Sequence, residues 1–149
     1  MIYCDGGARG NPGPAAYGFV IYDEQGSKIY EEGKSIGVTT NNVAEYTAVV
    51  AALKYILSGK CPFDSVYTES YRSAQGKKVL SIRFLLDSQL VAEQLSGRWK
   101  IKNEKLRSLY FTIKDLEHKI AAKFNYANVP REQNQEADRL VNAALDQKM

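Results

Sequence analysis

No apolar run in this 149-residue chain approaches the ~20 residues that a membrane helix needs. The N-terminus also lacks the charged and apolar regions of a signal peptide, because Asp5 arrives almost at once. Both absences point to a cytoplasmic protein with no membrane partner. Cysteine is scarce: Cys4 and Cys61 form no CxxC or metal-ligand spacing, and reduced thiols suit that compartment. No internal repeat, low-complexity tract or linker divides the chain, which reads as one domain over residues 1–149. Charge of one sign is not in large excess either. A formal net charge of +3 permits nucleic-acid binding without establishing it. The single histidine, His118, falls opposite the apolar stripe of its helix and reads as a solvated surface residue.

The chain does have an ordinary globular composition, 44% hydrophobic and 25% charged. After the short apolar run Ile2-Tyr3-Cys4 come two strand-like segments, "AAYGFVIYDEQG" and "SKIYEEGKSIGVTT", turned at Gly26. A three-stranded antiparallel meander is expected. In "NNVAEYTAVVAALKYILSGK", Val43, Tyr46, Val50, Leu53 and Leu57 repeat at helical spacing, with Asn41 or Asn42 as the cap and Gly59 as the stop. "SIRFLLDSQ" reads as a buried strand and "SQLVAEQLSG" as a short helix. A long amphipathic helix runs through Leu106, Leu109, Tyr110, Ile113, Leu116 and Ile120. "KFNYANVP" is a last strand, and Ala137, Leu140, Val141, Ala144 and Leu145 mark a last helix. The order strand–helix–strand implies parallel neighbours in a mixed α/β sheet covered by helices.

Four acids stand at element boundaries: Asp5 at the end of the first strand, Glu45 in the first turn of the first helix, Asp87 after "RFLL", and Asp138 in the first turn of the last helix. Each has a plain alternative. Asp5-Gly6 is a common turn dipeptide, Glu45 and Asp138 favour a helix dipole, and Asp87 suits an N-cap.

Taken together, "DGGARGNPGPAAYGFV", "TNNVAEYTAVVAAL", "LLDSQLVAEQLSGRWKIKNEKL" and "VPREQNQEADRLVNAAL" resemble the motif blocks of type 1 ribonuclease H, in that family's order. The resemblance implies a five-stranded mixed sheet of order 3-2-1-4-5 flanked by helices. It also implies an endonuclease that hydrolyses the RNA strand of RNA–DNA hybrids. Asp5, Glu45, Asp87 and Asp138 would then hold two Mg²⁺ ions, with Mn²⁺ as a substitute. Asp5 would bridge both ions, Glu45 and Asp87 would complete one site, and Asp138 the other. Gly6 and Gly7 would lie along the minor groove, with Asn11, Asn41 and Gln89 contacting bases or 2′-hydroxyls. Thr40 and Asn103 would hold a DNA-strand phosphate. Trp99 would pack on a deoxyribose, or else be a partly buried core aromatic.

The sequence departs from the family pattern in three places. "SGRWKIKNEKL" leaves no room for a basic protrusion, which shifts the grip on substrate to Arg98, Lys100, Lys102 and Lys105. An insertion at about 63–78 reads as an extra hairpin or a lengthened strand pair, with Gly76-Lys77 at its turn. Its "VYTES" nominates Glu69 as a rival to Asp87, but only Asp87 leads into a helical run. The loop histidine of many relatives is absent from "NVPREQNQEAD", and Arg131 is the expected stand-in, ahead of Glu132. A free-standing monomeric enzyme is expected. The alternatives are a catalytically silent hybrid-binding module and the ribonuclease H domain of a reverse transcriptase, with double-stranded RNA as a side substrate.

Overall fold

The computed structural model of the protein describes residues 1–61, 68–72 and 78–147. Strands β1 (Ile2–Ala8), β2 (Gly13–Tyr22) and β3 (Lys28–Thr39) form the antiparallel meander, followed by α1 (Asn41–Leu57). Then come β4 (Thr68–Arg72), β5 (Lys78–Leu86), α2 (Gln89–Leu95), α3 (Glu104–Lys119), β6 (Lys123–Asn128), a 3-10 turn (Arg131–Gln133) and α4 (Gln135–Asp146). The expected order 3-2-1-4-5 is present as β3-β2-β1-β5-β6, with β5 parallel to both β1 and β6. Among the described residues, no helix is long and apolar enough to cross a membrane.

The extra strand β4 pairs antiparallel with the start of β5. Ser81 is the register partner of both Thr68 and Lys123, so β4 and β6 take opposite edges of β5. This is the hairpin expected of the insertion; its tip at Gly76-Lys77 lies outside the described residues. Glu69 pairs with Leu80. That register places its backbone seven strand positions before Asp87, about 23 Å away at ~3.3 Å per residue.

The large core lies on the sheet face covered by α1, α2 and α3, where Ile2, Phe19, Tyr46, Leu53, Phe84 and Ile113 are fully buried. Helix α1 is wedged between the sheet and α3, which explains why it is apolar on most of its circumference. Leu57, expected on its buried stripe, is instead 39% exposed in the last turn of the helix. The cap is also one residue earlier than expected. Thr40, not Asn41 or Asn42, accepts from the Val43 N–H at 3.3 Å, and Gly59 follows the helix at φ +78°. Asn41 is the stronger capping residue by type, but its side-chain oxygen is taken by the Ala8 N–H, which leaves the cap to Thr40.

Among the described residues, helix α4 alone covers the opposite face. It comes down onto a cross-strand glycine pair: a Cβ on Gly18 would meet the Ala137 carbonyl at 2.7 Å, and one on Gly33 the Leu140 carbonyl at 2.7 Å. Around this seat Arg139 bonds Glu31 at 2.7 Å and Lys28 bonds Glu136 at 3.3 Å, while Ala16, Val141, Ala144 and Leu145 close a small second core. The exposed ion pairs contribute little energy. The register of α4, and hence the place of Asp138, is set by the glycine seat.

Candidate active site

The parallel pairing of β1 with β5 stops at Cys4–Leu86, so Asp5 and Asp87 emerge side by side where two neighbouring strands part. Asp5 does not end its strand, however. The antiparallel ladder with β2 continues through Gly6, Gly7 and Ala8, and the turn comes only at residues 9–12. The glycines that suggested a turn are strand residues. A Cβ on Gly6 would lie 2.2 Å from the Ala44 carbonyl carbon and 2.3 Å from the Glu45 nitrogen. Gly6 is bare so that α1 can rest on the strand, and that contact brings Glu45 against Asp5. Gly7 has only Val141 Cγ1 at 3.7 Å and faces the cleft. Glu45 itself lies one position past the first turn of α1, which weakens the helix-dipole reading.

Carboxylate oxygens of Asp5, Glu45 and Asp87 all lie within 4.8 Å of one another. Asp87 caps nothing: Ser88 is the N-cap of α2 and accepts from the Val91 N–H at 3.3 Å. Asp138, in the first turn of α4, joins these acids along an open cleft of about 480 Å³, as do Gly7, Asn41 and Arg131. Asp5 and Glu45 are each 6% exposed. Burial first, and then the charges of Asp87 and Asp138, push the Asp5 carboxyl up to about 7. Burial, followed by Asp5 and Asp87, raises Glu45 well above the usual carboxylate range. Asp87 is raised by burial, against a hydrogen bond from Asn134 and the nearby charge of Arg131. Glu45 Oε2 is buried without a hydrogen-bond partner. A compact all-oxygen donor set with excess negative charge and an unsatisfied buried oxygen fits a hard divalent cation.

Two asparagines that the sequence reading passed over hold these acids in place. Asn134, 1% exposed, donates to the Cys4 carbonyl at 2.8 Å as well as bonding Asp87. Its position just ahead of α4 looks like an ordinary N-cap, yet its side chain makes no cap bond. Asn142, one turn beyond Asp138, donates to the Asp138 Oδ2 at 3.3 Å.

The amide side chains at the rim are already partly engaged. Asn41 Oδ1 accepts from the Ala8 N–H at 2.7 Å, and Asn11 Oδ1 accepts from the Asn41 N–H at 3.0 Å. Together they tie the hairpin to the start of α1 and leave their NH₂ groups for other partners. Gln89 is exposed at the start of α2. Thr40 is spent on its cap, and Asn103 likewise caps α3, accepting from the Leu106 N–H at 3.0 Å. Trp99 is 45% exposed and lies in a separate groove. Of the four basic residues expected to grip substrate, Arg98 is held by Glu93 through two bonds of 2.6 and 3.0 Å. His118 is exposed, as expected.

The family model RNase H matches residues 1–146. A bifunctional protein of Mycobacterium tuberculosis is 42% identical over 147 residues, covering 98% of this chain; the chain spans 35% of that protein's length. The crystal structure of RNase H1 from the halophilic archaeon Halobacterium salinarum superposes with a TM-score of 0.80 at 36% identity, covering 98% of this chain and 96% of the other. LC11-RNase H1, crystallised in complex with an RNA/DNA hybrid, gives a TM-score of 0.82 at 36% identity with the same coverage of 98% and 96%.

Proposed function

The chain belongs to the ribonuclease H family, and on that premise we propose that it is an endonuclease hydrolysing the RNA strand of RNA–DNA hybrids. The observation that carries this reading is the carboxylate trio of Asp5, Glu45 and Asp87 within 4.8 Å, mostly buried and with Glu45 Oε2 unpartnered. Such charges repel one another and resist ionisation without a counter-ion. Mg²⁺ suits the donors, and Mn²⁺ substitutes. When bound, two such ions supply an activated water and stabilise the leaving oxygen of an in-line displacement.

The protein's part is to hold the ligands and present the hybrid. Asp5, Glu45, Asp87 and Asp138 would hold the ions: by the family's pattern Asp5 would be shared between the two sites, with Glu45 and Asp87 serving one and Asp138 the other. Asn134 fixes the carboxylate of Asp87, and Asn142 that of Asp138. The NH₂ groups of Asn11 and Asn41 are donors suited to minor-groove acceptors and 2′-hydroxyls, which neutral amides recognise without discriminating among sequences. Gly7 leaves room there for the sugar–phosphate chain. The test is a panel of end-labelled RNA–DNA, RNA–RNA and DNA–DNA duplexes with Mg²⁺, Mn²⁺ or EDTA. Cleavage of the RNA strand of the hybrid, lost in EDTA, supports the reading. A hybrid bound but never cut identifies a silent binding module instead.

The competing acids separate cleanly in the same assay. Asp87→Asn is expected to lower the rate by ~10²-fold or more, the scale of a lost electrostatic stabiliser. Glu69→Gln, whose backbone lies beside Leu80, leaves it within about twofold. A dead Glu69 variant with an active Asp87 variant would reverse the assignment.

Arg131 lines the cleft with its side chain exposed, and its charge reaches Asp87. A cation there stabilises a departing phosphate. Arg131→Ala should slow turnover roughly 10- to 100-fold, with hybrid affinity nearly unchanged. The pH–rate profile should show no limb near neutrality that His118→Ala removes. A slow His118→Ala enzyme would mean that the proton path runs elsewhere.

A further inference from the structure

Among the described residues, only two basic side chains line the cleft that gathers the four acids, Arg9 and Arg131. Arg131 lies in the turn before α4, whereas Arg9 bonds Asp146, the last residue of α4, at 2.7 Å. A helix of 12 residues is about 18 Å long at 1.5 Å per residue. The two cations therefore stand far apart, Arg131 near Asp87 and Arg9 beyond Gly7.

The Arg9 backbone is clamped. Its N–H donates to the Pro14 carbonyl at 2.8 Å, and a Cβ on Gly13 would strike the Arg9 carbonyl oxygen at 2.1 Å. Its side chain is held far more lightly. One guanidinium nitrogen, Nη2, donates to one Asp146 oxygen, and the two side chains are 51% and 65% exposed. Asp146 is in turn badly placed for its own helix. It stands in the last turn of α4, where no basic residue offsets it and where the helix dipole disfavours a carboxylate.

We propose that Arg9 is a phosphate-positioning residue for the RNA strand and that Asp146 is its latch. In the free protein the pair ties the hairpin after β1 to α4; in the complex a backbone phosphate takes the place of the carboxylate. The inference deepens the hybrid-cleaving function proposed above and rests on it.

Three features select a phosphate of the cut strand. First, an acid-lined cleft repels a phosphate chain unless cations draw it in, and Arg9 supplies a cation away from the acids. Second, a single exposed ion pair is weak, so it yields to a phosphate, which a guanidinium binds by two parallel hydrogen bonds. Third, the reach fits. Arg9 is four positions beyond Asp5, about 13 Å at ~3.3 Å per residue, and the phosphates of one strand follow every ~3.4 Å along the axis. A strand seated on the acids for cleavage thus brings a phosphate to Arg9 within about four nucleotides of the cut.

The experiment is a double-mutant cycle, read by fluorescence anisotropy of a labelled RNA–DNA hybrid in EDTA over a range of salt. The proteins are wild type, Arg9→Ala, Asp146→Asn and the two changes combined, each with its melting temperature recorded. Arg9→Ala should bind about 10-fold more weakly, with the slope of log affinity against log salt reduced by about one. Asp146→Asn should bind roughly 2- to 5-fold more tightly, because it frees Arg9. The combined variant should bind like Arg9→Ala, with that gain abolished. A merely structural tie makes both single changes weaken binding alike, and that result overturns the latch. A gain from Asp146→Asn that survives without Arg9 is a general charge effect and overturns it too. Hybrids carrying one neutral methylphosphonate then test the strand. The substitution that weakens wild type but not Arg9→Ala should lie in the RNA strand; in the DNA strand it overturns that assignment. Wild-type affinity in Arg9→Ala overturns the positioning role and leaves the proposed function standing. A wild-type protein that neither binds nor cuts the hybrid overturns the proposed function itself.

Discussion

Asp5→Asn is expected to lose hybrid cleavage by at least ~10³-fold, about 4 kcal/mol of transition-state stabilisation, and yet to be the more stable protein at alkaline pH. Both effects have one origin. In the folded protein the Asp5 carboxyl is pushed up to about 7 from an ordinary value of 3.8, mainly by burial and then by Asp87 and Asp138. The folded state therefore binds this proton more tightly than the unfolded chain does. That contribution to stability is complete below about pH 4 and is lost as the pH rises through about 7. Asparagine cannot ionise and escapes the loss. In metal-free buffer near pH 8, Asp5→Asn should gain on the order of 1–3 kcal/mol over wild type. The gain is less than the full shift implies, because Asp5 and Glu45 share a hydrogen bond and repel each other. Near pH 4 the two proteins should unfold alike. Urea titrations at both pH values, with single-turnover cleavage, check the pair of effects. An Asp5→Asn protein that is folded and still cuts with divalent cations would remove Asp5 from the site.

Gly6→Ala should be a severely damaging single methyl. The added carbon would lie 2.2 Å from the backbone of Ala44, a contact that no side-chain rotation relieves. Helix α1 must lift from β1, carrying Glu45 away from Asp5. A cost of ~3–5 kcal/mol is expected, in the range of severe core overpacking, with cleavage lost even where the protein remains folded. Gly7→Ala is the matched control. Its new methyl would meet only Val141 Cγ1 at 3.7 Å, so stability should stay within about 1 kcal/mol, and any loss should fall on hybrid binding. Denaturant midpoints for the two variants distinguish a glycine that seats a helix from one that faces a substrate. Equal, mild effects would mean that α1 adjusts freely and does not locate Glu45.

These neighbouring glycines also illustrate what a sequence reader can and cannot see. The four acids were legible together because they fall in motif blocks that resemble one family in its order; singly, Asp5 lies inside β1 and Glu45 past the first turn of α1, so local boundaries did not mark them. Asp87 is the exception: "RFLLD" declares both the acid and the end of β5. The Asp5-Gly6-Gly7 run misled because its turn signal is local, whereas its strand state comes from pairing with Tyr17 and Ala16 across the hairpin. Thr40 displaced Asn41 as the cap for a similar reason: Asn41 is engaged by Ala8, thirty-three residues away. Asn134 was invisible for the strongest version of that reason. Its partner is the carbonyl of Cys4, one hundred and thirty residues distant, and no pattern around "REQNQEAD" encodes it.

The nature of the cut ends tests the proposed chemistry most directly. In the proposed chemistry, a cleft that would hold divalent cations among Asp5, Glu45, Asp87 and Asp138, with no histidine lining it, would use water as its nucleophile. An RNA–DNA hybrid digested in oxygen-18 water with Mg²⁺ should give RNA fragments ending in phosphate monoesters that carry one solvent oxygen per cut, and no cleavage in EDTA. Fragments ending in 2′,3′-cyclic phosphate without solvent oxygen, or cleavage that persists in EDTA, would contradict it, because the attacking group would then be the substrate's own 2′-hydroxyl.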